Sequence, residues 1–286
     1  MTHDHGTQPA HQHGHDHGRD DDQAEILDLD AEVLGEHIAS IVEWLPVAAS
    51  PSRIVDLGCG TGAGTFALLT RFPEAHVLAV DSSTDHLHRL REKTCEKGLS
   101  GRVRAIQADL DTTWPDLGTP DLVWASASMH HMADPDRTLR QVHDTLAPGG
   151  LFAVIELAGF PRFLPADAPE NAPGLEERCH TASDRYHAEH VPHRGADWGP
   201  KLTAAGFTLE GERTITVDIE HSRSEAVGRY ALNGLRRIRN TVVDNLSAKD
   251  LTALDQLLDT NSPHSILRRP DLAVRTERVV WAARRP

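Results

Sequence analysis

The sequence predicts an α/β fold: a parallel sheet with helices on both faces and helical insertions beyond it. Three observations carry that prediction. Between residues 53 and 157, short apolar runs alternate with amphipathic helical patterns. A glycine-rich turn, Gly58-Cys59-Gly60-Thr61-Gly62, joins the first apolar run to the first helix after it, and the second run ends on an acid, Asp81. Strands and helices in alternation make βαβ units, whose parallel strands are buried on both faces and therefore read as continuous apolar runs.

Each element has its own signal. Leu29, Val33, Leu34, His37, Ile38, Ile41 and Leu45 recur at three- and four-residue spacing and Pro46 closes the segment, which predicts an amphipathic helix over residues 25–46. Strands follow at Arg53–Leu57, His76–Val80, Arg102–Gln107, Asp121–Ala125 and Leu151–Glu156. Helices fall between them at Gly62–Phe72, Thr84–Lys97 and Asp136–Leu146, the last stopped by Ala147-Pro148-Gly149-Gly150. Residues 47–157 thus form the ligand-binding core. After Glu156 the regularity weakens, and residues 158–200, rich in Pro, His and charge, read as a loop or small cap near the substrate. A helix end at Lys201–Gly206 precedes a strand at Phe207–Asp218, helices at Ser224–Leu246 and Ala248–Leu258, and a last strand at Ala273–Ala283. Residues 201–221 and 273–286 therefore return to the sheet, and residues 222–272 form a helical lid. No repeat with a period of 20–50 residues is present.

Composition bounds the function. The 286 residues carry a formal charge of −14 and 19 histidines, an excess of both acid and imidazole. Half of the charge lies in residues 1–30, where eight acids face only Arg19. With almost no apolar residue before Ile26, residues 1–24 are expected to be a disordered tail. Its His3, His5, His11, His13, His15 and His17 alternate with Asp, Gly and Gln, a pattern that offers neutral imidazoles to zinc, nickel or copper; the plainer reading is a solvated tail whose metal affinity has no biological use. The acid excess and the lack of a basic stripe argue against nucleic acid. No run of 18 apolar residues and no apolar N-terminus argue against a membrane span or a secretory signal. Three cysteines, Cys59, Cys95 and Cys179, make no disulfide framework. The expectation is a cytoplasmic protein acting on a small molecule, as a monomer or a homodimer.

The glycine turn suits a nucleotide ligand. Glycines let the backbone approach closely, and Asp81, 23 residues after Gly58, can accept hydrogen bonds from ribose hydroxyls. Gly58, Gly60 and Ala63 match the dinucleotide pattern, so a nicotinamide-dependent oxidoreductase is one reading. Against it, a 20-residue helix precedes the loop, and the two tyrosines and four lysines never fall in a Tyr-x-x-x-Lys spacing.

The motifs DLGCGTG at 56–62, VLAVD at 77–81, QADL at 107–110, DLVWASASMHH at 121–131 and LAPGG at 146–150 resemble those of the class I S-adenosylmethionine-dependent methyltransferases. The likeness is greatest to the small-molecule group related to the quinone-biosynthesis methyltransferases, and covers roughly residues 26–157. The resemblance implies a Rossmann-like seven-stranded sheet and S-adenosylmethionine as cofactor. It implies that Gly58 and Gly60 pass against the cofactor's methionine and ribose, that Asp56 orders the loop, and that Asp81 holds the ribose. It further implies Asp109 and Leu110 at the adenine, and Ala125 and Ser126 at the methionine end. Asp121 has the alternative of terminating its strand.

Methyl transfer from a sulfonium is an in-line displacement by an O-, N- or C-nucleophile, and a general base is needed only where the acceptor must lose a proton. His130 and His131, just past the fourth strand, are the candidates for that base. Cys179, His180, His187, His190 and His193 gather in the cap and read as substrate-lining or surface groups ahead of metal ligands. Residues 222–286 hold 12 basic against 7 acidic residues, which raises an anionic substrate. On a helical wheel, however, Arg229, Arg236 and Arg239 turn away from the apolar face of Val227, Tyr230, Ala231, Leu235, Ile238 and Val242. That apolar face is expected to close over the acceptor, with Tyr230 and Trp198 as wall residues. A non-catalytic cofactor-binding or metal-sensing module with a histidine-rich tail is the alternative to an enzyme.

Overall fold

A computed structural model describes residues 17–286. The apolar runs are strands β1 (Arg53–Leu57), β2 (His76–Asp81), β3 (Val103–Gln107), β4 (Leu122–Ser126) and β5 (Leu151–Leu157). They pair in parallel in the spatial order β3-β2-β1-β4-β5. The chain steps outward from β1 to β3, then returns to lay β4 on the other side of β1. That reversal opens a crevice at the C-terminal ends of β1 and β4, where sheets of this kind place their ligands. β6 (Thr208–Glu220) and β7 (Ala273–Arg284) complete seven strands, with β7 antiparallel between β5 and β6.

Alternate residues of the central strands serve two cores, as the period of two requires. Ile54, Trp124, Ala153 and Ile155 face one core, which they share with helices α1 (His17–Trp44), α2 (Ala63–Arg71), α5 (Leu175–His190), α7 (Ala226–Val242) and α8 (Ala248–Leu258). Val55, Leu57, Val123, Ala125, Phe152 and Val154 face the other, built with α4 (Pro135–Thr145) and α6 (Trp198–Ala204). Helix α3 (Thr84–Glu96) covers β2 and β3. Local chemistry sets the helix starts: the Ser83 hydroxyl accepts from His86 N, and Asp134 Oδ1 accepts from Arg137 N at 2.9 Å with Pro135 opening α4.

Two elements depart from the sequence expectation. Helix α1 starts at His17, within the stretch expected to be a disordered tail. A helix already nucleated on the apolar face of Leu29, Val33 and Leu34 extends toward its N-terminus at little cost. The cap region contains a 16-residue helix, α5, whose Leu175, Cys179 and Ala182 bury a narrow stripe at four- and three-residue spacing. Its Pro192 lies just beyond the end. Among the described residues no helix is long and apolar enough to cross a membrane, and no three His, Cys, Asp or Glu side chains are grouped to hold a metal. His3, His5, His11, His13 and His15 lie outside the described residues, and His17 opens α1.

Candidate functional site

After β1 the chain turns through Gly58, Gly60 and Gly62 at φ values of +66°, +52° and +98°, a region that side chains resist. Gly58 has a second reason to be glycine: a Cβ there would collide with the side chain of Ser128, whose hydroxyl donates to Leu57 O at 2.8 Å. The loop is pinned to β2. Gly58 N and Cys59 N donate to Val80 O, and Gly60 N donates to Asp81 Oδ2 at 2.8 Å. Asp81 Oδ1 accepts from Ser83 N at 2.9 Å and from His86 Nδ1 at 3.2 Å. Burial alone would raise the Asp81 carboxyl, but these donors hold it below its ordinary value. Oδ2, with one protein donor, retains capacity for another.

Asp56 lies behind the loop. It is buried and accepts from Thr65 Oγ1 at 2.7 Å, which ties β1 to α2. Burial, opposed by the Thr65 bond and reinforced by the negative charge of Asp81, pushes its carboxyl up to about 7. Asp109, past β3, is exposed; its Oδ1 caps the turn by accepting from Asp111 N, while neighbouring Leu110 is buried. At the far end of β1's other neighbour, Ala125 is buried, Ser126 half-buried, and Ala127 sits at φ +52° without being glycine. That strained residue, held by its N–H to Ile155 O, marks the crevice end of β4. Asp121 takes the alternative role: its Oδ2 accepts from Ser52 and Arg53 at the opposite end of the sheet.

A short turn, Met129–His131, follows. His130 Nδ1 donates to Glu156 Oε2 at 2.5 Å and His130 N to Glu156 Oε1 at 3.2 Å, both residues being almost fully buried. The His131 ring packs 4.1 Å from that of His130. Desolvation and the adjacent His130, with Arg237 adding to them against Glu156 and Asp81, lower its pKa to about 4. His131 is therefore neutral at pH 7 and responds to charges on both the cofactor-loop side and the α7 side.

Beside this turn lies a cleft of about 760 Å³ including its mouth, bounded by α1, α5, α7 and the segment after β5. Ala127, Leu27, Leu157, Phe160, Phe163 and Ile238 supply most of its wall. Within it, Asp30 of α1 accepts from Tyr230 Oη at 2.6 Å and from Arg278 Nη2 at 2.8 Å. Burial and the Asp30 charge raise the Tyr230 phenol well above its ordinary value. Helix α1 also crosses the glycine loop: Leu27 stands 3.1 Å from where a Gly60 Cβ would be, and Asp28 takes Lys93 and Arg89 of α3. Loop and cleft are thus neighbours under one helix.

Residues 55–152 match a family model described as a methyltransferase domain. The chain is 38% identical over 194 residues to a trans-aconitate 2-methyltransferase of Methylobacterium nodulans, covering 63% of this chain and 66% of that one. It is 37% identical over 121 residues to the corresponding enzyme of an Acidovorax species, covering 42% of this chain and 44% of that one. A malonyl-[acyl-carrier protein] O-methyltransferase of Dechloromonas aromatica is 35% identical over 117 residues, 41% of this chain and 40% of that one. The match therefore spans less than two thirds of these relatives' own length. Among solved structures, a Bacillus halodurans protein described as a methyltransferase has the same fold at 17% identity and TM-score 0.55, covering 87% of this chain and 98% of that one. Fold, matched domain and relatives together support a class I S-adenosylmethionine-dependent methyltransferase.

For a methyltransferase of this class the residues fit the cofactor. The glycine loop forms a cradle that a Cβ at Gly58 would fill, Asp81 is ionised with acceptor capacity left, and only one oxygen of Asp109 is committed to the chain. These findings leave the nicotinamide reading without support. The structure brings together Gly58, Gly60, Asp81, Ser126, His130 and His131 at one end of the sheet, where the topology places them. Trp198 does not join them: it is fully buried in α6, packed with Phe207 and Trp281 in the core on the opposite face, because its indole fills the space under β7. Tyr230 does line the cleft. Sequence reasoning missed Glu156, Ala127, Asp30 and Arg237. The last had a signal, since Tyr230, Gly234, Arg237 and Thr241 recur at spacings of four, three and four and all line the cleft.

Proposed function

We propose that the protein transfers the S-adenosylmethionine methyl group to a small-molecule acceptor held in the cleft under α1, α5 and α7. The observation that carries this reading is the adjacency of the cleft to the glycine loop, joined by Ala127 on one side and Leu27 of α1 on the other. When bound, the cofactor supplies a sulfonium methyl that needs no further activation. Asp81 and Asp109 would hold its ribose and adenine, and the glycine loop would pass along its methionine portion. The chain's remaining work is to orient the acceptor and keep water out. Leu27, Leu157 and Phe163 serve the second task. For an acceptor that must lose a proton, the base would be His130, whose Nδ1 is held by Glu156 and whose Nε2 is left to take the proton; neither His130 nor His131 is itself part of the cleft wall, so the acceptor would have to reach past Ala127. His131, lowered to about 4, is a weak base at pH 7. Two relatives are named for carboxylate-bearing acceptors, trans-aconitate and a malonyl group, which supports a small organic acid among the acceptors to be tried.

The test is a titration with S-adenosylhomocysteine followed by turnover with a panel of hydroxyl, amine and carboxylic acid acceptors, read by mass spectrometry. Saturable binding with a mass gain of one methyl is expected, and no binding would overturn the reading. With a hydroxyl or amine acceptor, His130→Ala is expected to lower kcat by about 10²-fold or more, and His131→Ala to change it far less. The reverse order would reject His130 as the base.

A further inference from the structure

The cleft contains a cation that the described residues leave without a counterion. Arg237 sits on the cleft-facing stripe of α7, and among the described residues no acid pairs with it and no acceptor bonds its guanidinium. Arg229 and Arg239 of the same helix are paired, with Glu32 and Asp255, and Arg236 is outside the cleft lining, so Arg237 is the helix's cation in the cleft. Asp30, the acid nearest to hand in the cleft, is committed to Arg278 and Tyr230. Much of the Arg237 surface is open to the cleft, yet the surrounding protein desolvates the guanidinium enough to depress its pKa. An arginine stays charged under these conditions, so the cleft holds a fixed positive charge awaiting an anion.

The rest of the lining limits how many anionic groups can follow. His187 gives Nδ1–H to Ser183 O at 2.7 Å, and burial lowers its pKa, so it is neutral at pH 7. Arg278 already has its counterion, with Nη2 on both oxygens of Asp30. What remains is mainly apolar: Leu27, Leu157, Phe160, Phe163 and Ile238. Resting on the assignment of this cleft as the acceptor site, we infer that the acceptor is an amphipathic monocarboxylate, its carboxylate seated on Arg237 and its hydrocarbon body against those apolar walls. A guanidinium matches a carboxylate with two parallel hydrogen bonds, whereas a second or third carboxylate would meet hydrocarbon and lose its hydration uncompensated. On this reading the protein differs from relatives named for trans-aconitate, which bears three carboxylates.

The experiment is calorimetric titration of the full-length protein with octanoate and 4-phenylbutanoate, with octanamide as the uncharged counterpart and trans-aconitate as the polyanion. Each is run with and without saturating S-adenosylhomocysteine. Octanoate is expected to bind at least tenfold more tightly than octanamide and than trans-aconitate. Arg237→Gln is expected to erase the preference for octanoate over octanamide, and Arg237→Lys to keep part of it. Both variants should match the wild type in melting temperature and in affinity for S-adenosylhomocysteine. Octanamide binding as tightly as octanoate, an Arg237→Gln protein that keeps the wild-type preference, trans-aconitate binding as well as octanoate, or no binding of either monocarboxylate would each overturn the inference. A wild-type protein that fails to bind S-adenosylhomocysteine would remove the methyl-transfer reading instead, and the titrations without it would still decide the role of Arg237.

Discussion

Asp56 lies behind the glycine loop and ties β1 to α2 through Thr65, and its burial has a consequence in pH. Its folded pKa of about 7 stands above the unfolded 3.8, so between these values the native state binds the proton that the unfolded chain releases. Stability from this group is present below pH 4 and lost as pH rises to 7, a loss on the order of 4 kcal/mol. Asp56→Asn keeps an acceptor for Thr65 and removes the charge. In urea unfolding, the variant is expected to gain on the wild type by several-fold more at pH 8 than at pH 4.5; His131 and His180 are common to both proteins and cancel in the comparison. An equal gap at the two pH values would show that Asp56 does not titrate in that window. Gly58 makes the complementary case, in which backbone geometry rather than charge sets the residue. Gly58→Ala meets both a φ of +66° and the Ser128 side chain. It is expected to cost about 2–4 kcal/mol in urea unfolding and to weaken S-adenosylhomocysteine at least tenfold, and an alanine variant of unchanged affinity would separate the loop from the cofactor.

At the scale of elements, α1 is the piece that turns a sheet with a crevice into a closed site. Its two inward carboxylates hold it in place: Asp28 to α3, and Asp30 to α7 through Tyr230 and to β7 through Arg278. Arg278 is almost fully buried, so Asp30→Asn leaves a buried cation short of its carboxylate, at an expected cost of about 3–5 kcal/mol. Tyr230→Phe removes one hydrogen bond and should cost about 1–2 kcal/mol. Because both changes act on one network, the double variant is expected to lose less than the sum of the two, by at least 0.5 kcal/mol on the order of; strict additivity would mean that the helices are not coupled there. The same elements show what sequence can and cannot convey. Strands β1 to β5 were readable to within a residue or two because burial on both faces writes itself as a local apolar run, and the Gly58 turn and Asp81 lie within one βαβ unit. Helix α5 was not, since its buried stripe of Leu175, Cys179 and Ala182 is diluted by histidine and charge. The insertion of β7 between β5 and β6 is a pairing of distant segments that leaves no local trace. Site residues divide the same way. The cofactor loop is a contiguous motif, whereas Glu156 meets His130 across 26 positions and Asp30 meets Arg278 across 248.

Across the whole molecule, the ligand machinery gathers at one end of the sheet. The strand order reverses between β1 and β4, so the glycine loop, Asp81, Ala127 and the His130 turn all emerge at the C-terminal strand ends, and α1 lies over them and over the cleft proposed for the acceptor. A ligand on the loop should therefore be felt by α1 through Leu27 and Asp28 before it is felt by any other helix of the cap. Helix α8 provides the contrast, because it packs on α5 and α7 and contributes nothing to the cleft lining. Hydrogen exchange can read this difference directly, since local opening costs less than global unfolding and is suppressed by whatever binds only the closed form. Saturating S-adenosylhomocysteine is expected to slow exchange about tenfold or more in residues 24–32, 56–66 and 80–87, an increment of roughly 1.4 kcal/mol, and to leave residues 248–258 unchanged. Protection confined to the loop would make α1 a static wall. Protection spread equally into α8 would mean that the cap closes as one rigid body, and that acceptor and cofactor cannot be admitted separately.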